Sequence, residues 1–100
     1  MRKFSTALLV SATVLATPAL AADETERGML LSLSCAACHG TMGKSPGAIP
    51  PLAGRAEGYL SATLIDFKSG RQEGTVMNRI ARGYSEAELK AIAKFLSSVK

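Results

Sequence analysis

Both cysteines and the single histidine of this 100-residue chain lie in one run of five residues, Cys35-Ala36-Ala37-Cys38-His39. Two thiols three positions apart reach the two vinyl groups on one edge of a porphyrin, and the adjacent imidazole then falls beneath the iron. The spacing therefore predicts one covalently attached c-type haem, with thioether bonds at Cys35 and Cys38 and His39 as the first axial ligand. Because a porphyrin is a large apolar plate, the helices of a small chain can pack around it.

Three other interpretations of this run fit less well. A structural zinc site needs about four protein ligands, usually from two knuckles, and the chain has no second pair of cysteines or histidines. A thioredoxin-like dithiol expects a preceding strand and a βαβ setting, which the sequence lacks. A disulfide across two intervening residues closes too small a loop to stabilise much. Haem attachment is the interpretation that the sequence favours.

The first 21 residues predict a cleaved secretory signal peptide. Arg2 and Lys3 form a positive n-region, an uncharged stretch runs from residue 4 to residue 17, and Ala19-Leu20-Ala21 is an A-x-A cleavage site. An uncleaved membrane anchor is the alternative, but the serines, threonines and early proline are a poor match to the roughly 20 apolar residues of a span. We therefore expect a periplasmic protein in which residues 22–100 form a single monohaem domain with no membrane span.

The charge of the chain gives no sign of a nucleic-acid partner. Removal of Arg2 and Lys3 lowers the basic count from 12 to 10 against 8 acidic residues, so the net charge falls from +4 to +2. The two negatively charged propionates of a haem would offset this remaining charge of +2. The sequence also has no basic run and no aromatic stacking pattern. Nucleic-acid binding is therefore excluded as a function.

Three segments carry helical periodicity, and none shows the alternation of a strand. Their apolar positions recur at a spacing of three to four residues: Met29, Leu30 and Leu33 in residues 25–34, Leu60, Leu64 and Phe67 in residues 57–69, and Leu89, Ile92, Ala93 and Leu96 after residue 85. Gly28 costs its helix about 1 kcal/mol relative to Ala, which predicts a compensating close helix crossing. Gly70 is a stop signal, and Ser85 to Glu88 is a capping box. With the glycine- and proline-rich loop 40–54, the pattern predicts an all-α fold of three principal helices and long loops around one haem.

Few side chains are candidates for the second axial position on the iron. Composition excludes another histidine. Met29 lies on the helix that approaches the His39 face, and Met42 is only three residues beyond His39 and would have to cross the ring plane. By elimination Met77 is the predicted ligand, although most methionines are adaptable core residues. A thioether there would raise the potential and close the last coordination site, as an electron carrier requires.

With these residues in place, the chain resembles the class I cytochromes c, and more narrowly the cytochrome subunits of flavocytochrome c sulfide dehydrogenases. The matching stretches are residues 35–41, 49–54, 67–70 and 75–85, and they are spread so that the resemblance extends over nearly the whole chain after the signal. The haem motif is shared by c-type cytochromes as a whole. The stretch from Thr75 to Ser85 is the one that points to the sulfide dehydrogenase subunit.

The resemblance implies roles for individual residues. Cys35 and Cys38 would carry the thioether bonds, and His39 and Met77 would be the axial ligands. A carbonyl near Pro50 or Pro51 would accept the ring N–H of His39 and fix its orientation, and Leu52 would pack against the porphyrin; stiffening of the loop is the alternative role of the prolines. Three basic residues are candidates for the haem propionates or for a solvated face: Arg55, Arg79 and Arg82.

The function that the resemblance implies is one-electron transfer. The chain would accept electrons from an FAD-containing sulfide dehydrogenase flavoprotein and pass them to a downstream acceptor. Subunits of this family often carry two haem domains whereas this chain has one haem motif, so a free diffusible monohaem cytochrome that shuttles between respiratory complexes is the alternative. A haem enzyme or gas sensor would require Met77 to leave the iron. No residue set indicates acid–base or nucleophilic chemistry, so we expect no catalytic residues and no enzyme activity in this chain alone.

Overall fold

The computed structural model describes residue 3, residues 7–15 and residues 23–100. Residues 7–15 are exposed and have no regular secondary structure. The predicted cleavage site at residues 19–21 lies outside the described residues. Within the described ranges no helix combines the length and the apolar character needed to span a bilayer.

Five helices and two 3₁₀ turns make up the regular structure of residues 23–100, and none of these residues lies in a strand. In chain order the helices are α1 Glu24–Ser32, α2 Ala36–His39, α3 Glu57–Ser69, α4 Met77–Ala81 and α5 Glu86–Ser98, with 3₁₀ turns at Leu33–Cys35 and Thr41–Gly43. The three longest helices lie where the sequence periodicity predicts them. The all-α expectation with three principal helices is therefore confirmed.

The ends of α3 and α5 follow the predicted signals. Gly70 ends α3 in the left-handed conformation at φ 80°, which costs a glycine little. At the start of α5, the Ser85 hydroxyl accepts from the Glu88 N–H at 3.1 Å, and the Glu88 carboxylate accepts from the Ser85 N–H at 2.9 Å. The capping box is confirmed.

The first predicted helix, residues 25–34, is shorter than expected. The α-helix ends at Ser32 and continues as the 3₁₀ turn Leu33–Cys35 before α2 begins. Two serine hydroxyls donate back to carbonyl oxygens of the preceding turn, Ser32 to Met29 at 2.8 Å and Ser34 to Leu31 at 3.3 Å. Such bonds compete with the helical ladder and bend it, so the periodic pattern overestimated the regular helix.

The core lies mainly on α5 and is completed by α3 and α1. Its buried members are Leu60, Leu89, Ile92, Ala93, Phe95 and Leu96. Helix α1 crosses α5 so closely at Gly28 that an added Cβ would lie 2.1 Å from the carbonyl oxygen of Ala91. The predicted close helix crossing is therefore confirmed. Beyond this crossing, α1 leads directly into the turn that contains the cysteines.

Candidate functional site

The two cysteines lie on one continuous helical turn. Cys35 ends the first 3₁₀ turn and Cys38 lies in α2, so a separation of three residues puts both thiols on the same side. Cys35 is half-buried and Cys38 is exposed. Burial raises the pKa of the Cys35 thiol, and Cys38 adds to that rise while a hydrogen bond with Ser34 opposes it. This direction is opposite to the lowered pKa of a redox-active dithiol.

His39, the last residue of α2, is oriented by the loop that follows. Its Nδ1 atom lies 2.7 Å from the carbonyl oxygen of Pro50. Because a carbonyl oxygen only accepts, Nδ1 carries the hydrogen, and in the neutral ring the lone pair on Nε2 is left available. The neighbouring carbonyl of Pro51 instead accepts from Nε of Arg55 at 2.7 Å. The resemblance left open which of the two proline carbonyls pairs with His39. In the structure it is the carbonyl of Pro50.

Backbone hydrogen bonds hold the proline segment beside this turn. The N–H groups of Leu52 and Ala53 donate to the carbonyl of Gly43 at 2.8 and 3.1 Å, and the N–H of Gly54 donates to Leu96 on α5 at 2.9 Å. The side chain of Leu52 packs partly against the core cluster. The position of the Pro50 carbonyl is therefore fixed through the helix core and not through the prolines alone.

The turn after His39 requires glycine at residue 40. Gly40 has φ 83°, and an added Cβ would lie 2.4 Å from the carbonyl oxygen of Lys44. A side chain at residue 40 would therefore displace the loop that returns towards Pro50.

The three methionines of residues 23–100 differ in burial and in position. Met29 on α1 and Met42 in the second 3₁₀ turn are 37% and 43% exposed, and Met42 has φ 57° in the left-handed region. Met77 is half-buried and begins α4, a five-residue helix that packs on α3. Sequence periodicity did not predict α4, because five residues are too few to show a repeat.

The candidate arginines have different surroundings. The Arg55 guanidinium lies 5.8 Å from the centroid of the Tyr59 ring, a cation–π distance, in addition to its bond to Pro51. Arg79 and Arg82, near α4, are exposed. Among residues 23–100, neither the Arg79 nor the Arg82 guanidinium forms an ion pair or a cation–π contact.

Sequence analysis assigned no role to several residues whose side chains form hydrogen bonds in the structure. The Tyr84 hydroxyl is hydrogen-bonded to the Ser34 hydroxyl, next to Cys35, and the Lys68 ammonium donates to the Tyr84 carbonyl. Asn78, the residue after Met77, makes three side-chain hydrogen bonds. Isolated polar residues of this kind carry no periodic or spacing signal, so only the tertiary structure identifies them.

The residues present fit a covalently held haem. The predicted donors are two thiols on one turn, an imidazole with Nε2 available, and the half-buried thioether of Met77. The part of the chain from residue 23 onward also leaves many large apolar side chains exposed: Met29, Leu30, Leu33, Met42, Ile49, Tyr59, Val76 and Ile80. A haem needs apolar side chains around its ring, and these exposed positions are the candidates for that contact.

Comparisons with known proteins agree with this site. The sequence matches the cytochrome c family over residues 25–100. It is 44% identical over 84 residues to the cytochrome subunit of sulfide dehydrogenase from Chlorobaculum tepidum, which covers 84% of this chain and 76% of that protein. It is 39% identical over 69 residues to the thiosulfate dehydrogenase electron acceptor of Stutzerimonas stutzeri, covering 65% of this chain and 32% of that one.

A solved structure shares the fold. The cytochrome c4 of Acidithiobacillus ferrooxidans superposes with a TM-score of 0.69 at 32% identity, covering 78% of this chain and 50% of that chain. The chain therefore spans about half the length of that cytochrome c4.

The fold and the site together define an electron-transfer haem protein with the class I all-α architecture. The chain belongs to the cytochrome c family. Its cofactor is one covalently bound haem c, and it exchanges electrons with a redox partner without being catalytic itself. The expectations of family, fold class, cofactor and electron transfer are confirmed.

Proposed function

We propose that this cytochrome acts in the periplasm as the cytochrome subunit of a sulfide dehydrogenase, where it accepts electrons from an FAD-containing flavoprotein and passes them to a downstream acceptor. The similarity to the Chlorobaculum tepidum subunit supports this role, because it extends over most of both chains. The bound haem supplies a one-electron couple between ferric and ferrous iron. Sulfide is oxidised on the partner, and this chain provides the electron-accepting site.

We further propose that Cys35 and Cys38 form the thioether bonds and that His39 and Met77 are the axial ligands. The observation that carries the assignment of His39 is the bond from its Nδ1 to the carbonyl of Pro50. It fixes the ring and its tautomer, so Nε2 is presented as a ligand and its basicity is raised.

Two methionine variants test the second ligand. Met77→Ala is expected to abolish the near-infrared sulfur-to-iron charge-transfer band of the oxidised protein, because no other thioether takes its place. Met42→Ala is the matched control and is expected to keep the band, since Met42 is exposed in a turn beside Cys38. Loss of the band in Met42→Ala with retention in Met77→Ala would reverse the assignment. Absence of the band from the unmodified protein would favour the haem enzyme or gas sensor.

Export through a signal peptide of residues 1–21 is part of the same proposal. N-terminal sequencing of the protein from the periplasm is expected to begin at Ala22. Its mass should equal residues 22–100 plus one haem. A protein that retains Arg2 and Lys3 would contradict cleavage.

The flavoprotein partner is tested by purification from the native host. Co-purification with a chain that holds FAD, and reduction of the haem when sulfide is added to that complex, are the expected results. A free diffusible monohaem cytochrome is the second candidate, favoured by the similarity to an electron acceptor and to cytochrome c4. That candidate is supported if the protein migrates as a lone monomer and sulfide does not reduce it in the presence of the flavoprotein fraction.

A further inference from the structure

The side chain of Asn78 joins three parts of the chain around Met77. Its Oδ1 accepts from the N–H of Gly74 at 2.8 Å, and its Nδ2 donates to the carbonyls of Phe67 at 2.9 Å and Gln72 at 2.6 Å. A carboxamide offers two donor hydrogens and two acceptor positions. Asn78 therefore uses both donors and one acceptor to connect the end of α3, the loop that follows, and the start of α4.

Helix α4 has little local support of its own. It spans five residues, and its N-cap residue, Val76, makes no side-chain capping bond. Isolated helices this short are unstable in water, so α4 depends on contacts with the rest of the chain. The orientation of Met77, its first residue, depends on the same contacts.

The loop before α4 is fitted closely against both Phe67 and Met77. An added Cβ on Gly74 would lie 2.9 Å from Cε1 of the Phe67 ring and 3.4 Å from Cβ of Met77. The bond from the Gly74 N–H to Asn78 closes this arrangement. Loss of the Asn78 hydrogen bonds would therefore allow the backbone at Gly74, and with it Met77, to move.

We propose that Asn78 is a positioning residue that holds Met77 at the haem iron by anchoring the loop 70–76 and the start of α4. The inference rests on the proposed ligation by Met77. In this arrangement the Met77 thioether is either bound to the iron or released from it. The three hydrogen bonds of Asn78 form only when the loop 70–76 is in its folded conformation. Two of the three lie at exposed positions, where water replaces a lost partner. Their removal should therefore favour the released state without unfolding α1, α3 and α5.

Asn78→Ala is the principal variant, and Gln72→Ala is its matched control in the same loop, because it keeps the Gln72 carbonyl that Asn78 uses. In the holoprotein, guanidinium titrations follow the near-infrared sulfur-to-iron band and the far-ultraviolet helix signal in parallel. For Asn78→Ala we expect the equilibrium constant for loss of the band to rise about tenfold or more, while the helix midpoint changes little. Gln72→Ala should match the unmodified protein in both signals.

Imidazole gives a second readout. It binds the iron only where the thioether has left, so its apparent affinity scales with the population of the released state. The increase in imidazole affinity of Asn78→Ala should equal the increase in the equilibrium constant for band loss. Asn78→Asp is the isosteric second variant: it keeps the acceptor for Gly74 and loses both donors, and it too should lose the band before the helix signal.

The outcomes separate this inference from the assignment of Met77. A band absent from the unmodified protein refutes ligation by Met77 and with it the role of Asn78. If the band is present in the unmodified protein and is lost at the same guanidinium concentration in it and in both Asn78 variants, only the positioning role of Asn78 is refuted. Parallel loss of the band and the helix signal in both variants would make Asn78 a purely structural residue, which also overturns the proposal. If Asn78→Ala does not fold, Asn78→Asp decides between these results.

Discussion

The substitution Gly28→Ala tests the close contact between α1 and α5, the first and last helices of the domain. The new Cβ would lie 2.1 Å from the Ala91 oxygen, 2.7 Å from the Ala91 carbonyl carbon and 3.0 Å from Cβ of Phe95. Two of these atoms belong to the backbone of α5, so no rotamer change relieves the overlap. Helix α1 must move away from α5 by more than 1 Å to restore ordinary contact.

The expected cost follows from that displacement. A radial gap of about 1 Å forfeits up to roughly half of the dispersion attraction at each affected contact. Inserting a methyl group into a packed core typically costs about 1–3 kcal/mol, and backbone overlap puts this site at the upper end. Alanine recovers about 1 kcal/mol of helix propensity. We therefore expect a net loss of roughly 2 kcal/mol, which lowers Tm by about 8–16 °C in a domain of this size.

Thermal denaturation of the holoprotein followed by far-ultraviolet circular dichroism measures this effect. Gly58→Ala is the matched control, because Gly58 also lies in a helix but an added Cβ there meets nothing within 4 Å. The control should be neutral or stabilising by up to about 1 kcal/mol. Equal Tm values for Gly28→Ala and Gly58→Ala would show that the helix crossing does not constrain residue 28 and would refute the argument.

Three further predictions concern the last helix and the cofactor. Ser85→Ala removes the hydroxyl that accepts from the Glu88 N–H, and it should lower the unfolding free energy by about 1 kcal/mol in denaturant titrations; an unchanged midpoint contradicts this. Hydrogen bonds from the backbone N–H and then the side chain of Ser85 lower the pKa of Glu88 below its usual range. Stability from this group is thus complete above the unfolded pKa and is lost as the pH falls through the folded value. Glu88→Gln should remove that part of the acid dependence, measured as the slope of unfolding free energy against pH. Finally, residues 22–100 prepared without haem should not show a cooperative, fully helical melt, because the cofactor supplies apolar surface for packing; calorimetry of that chain checks this.

The sequence by itself determined the features that depend on short-range spacing. The run from Cys35 to His39 predicts the haem, because attachment chemistry needs those residue types in that order. The capping box at Ser85 and the apolar stripes fix α3 and α5, since hydrogen bonds and periodicity within one helix are local properties. Gly28 predicted a close crossing, although it did not predict which helix would be crossed.

Only the tertiary structure decided which distant groups meet. The choice of the Pro50 carbonyl for His39 and of the Pro51 carbonyl for Arg55 depends on how the loop returns to the turn. The three bonds of Asn78 connect residues up to eleven positions apart. Such contacts arise from the packing of whole elements, and a pattern of adjacent residues carries no record of them.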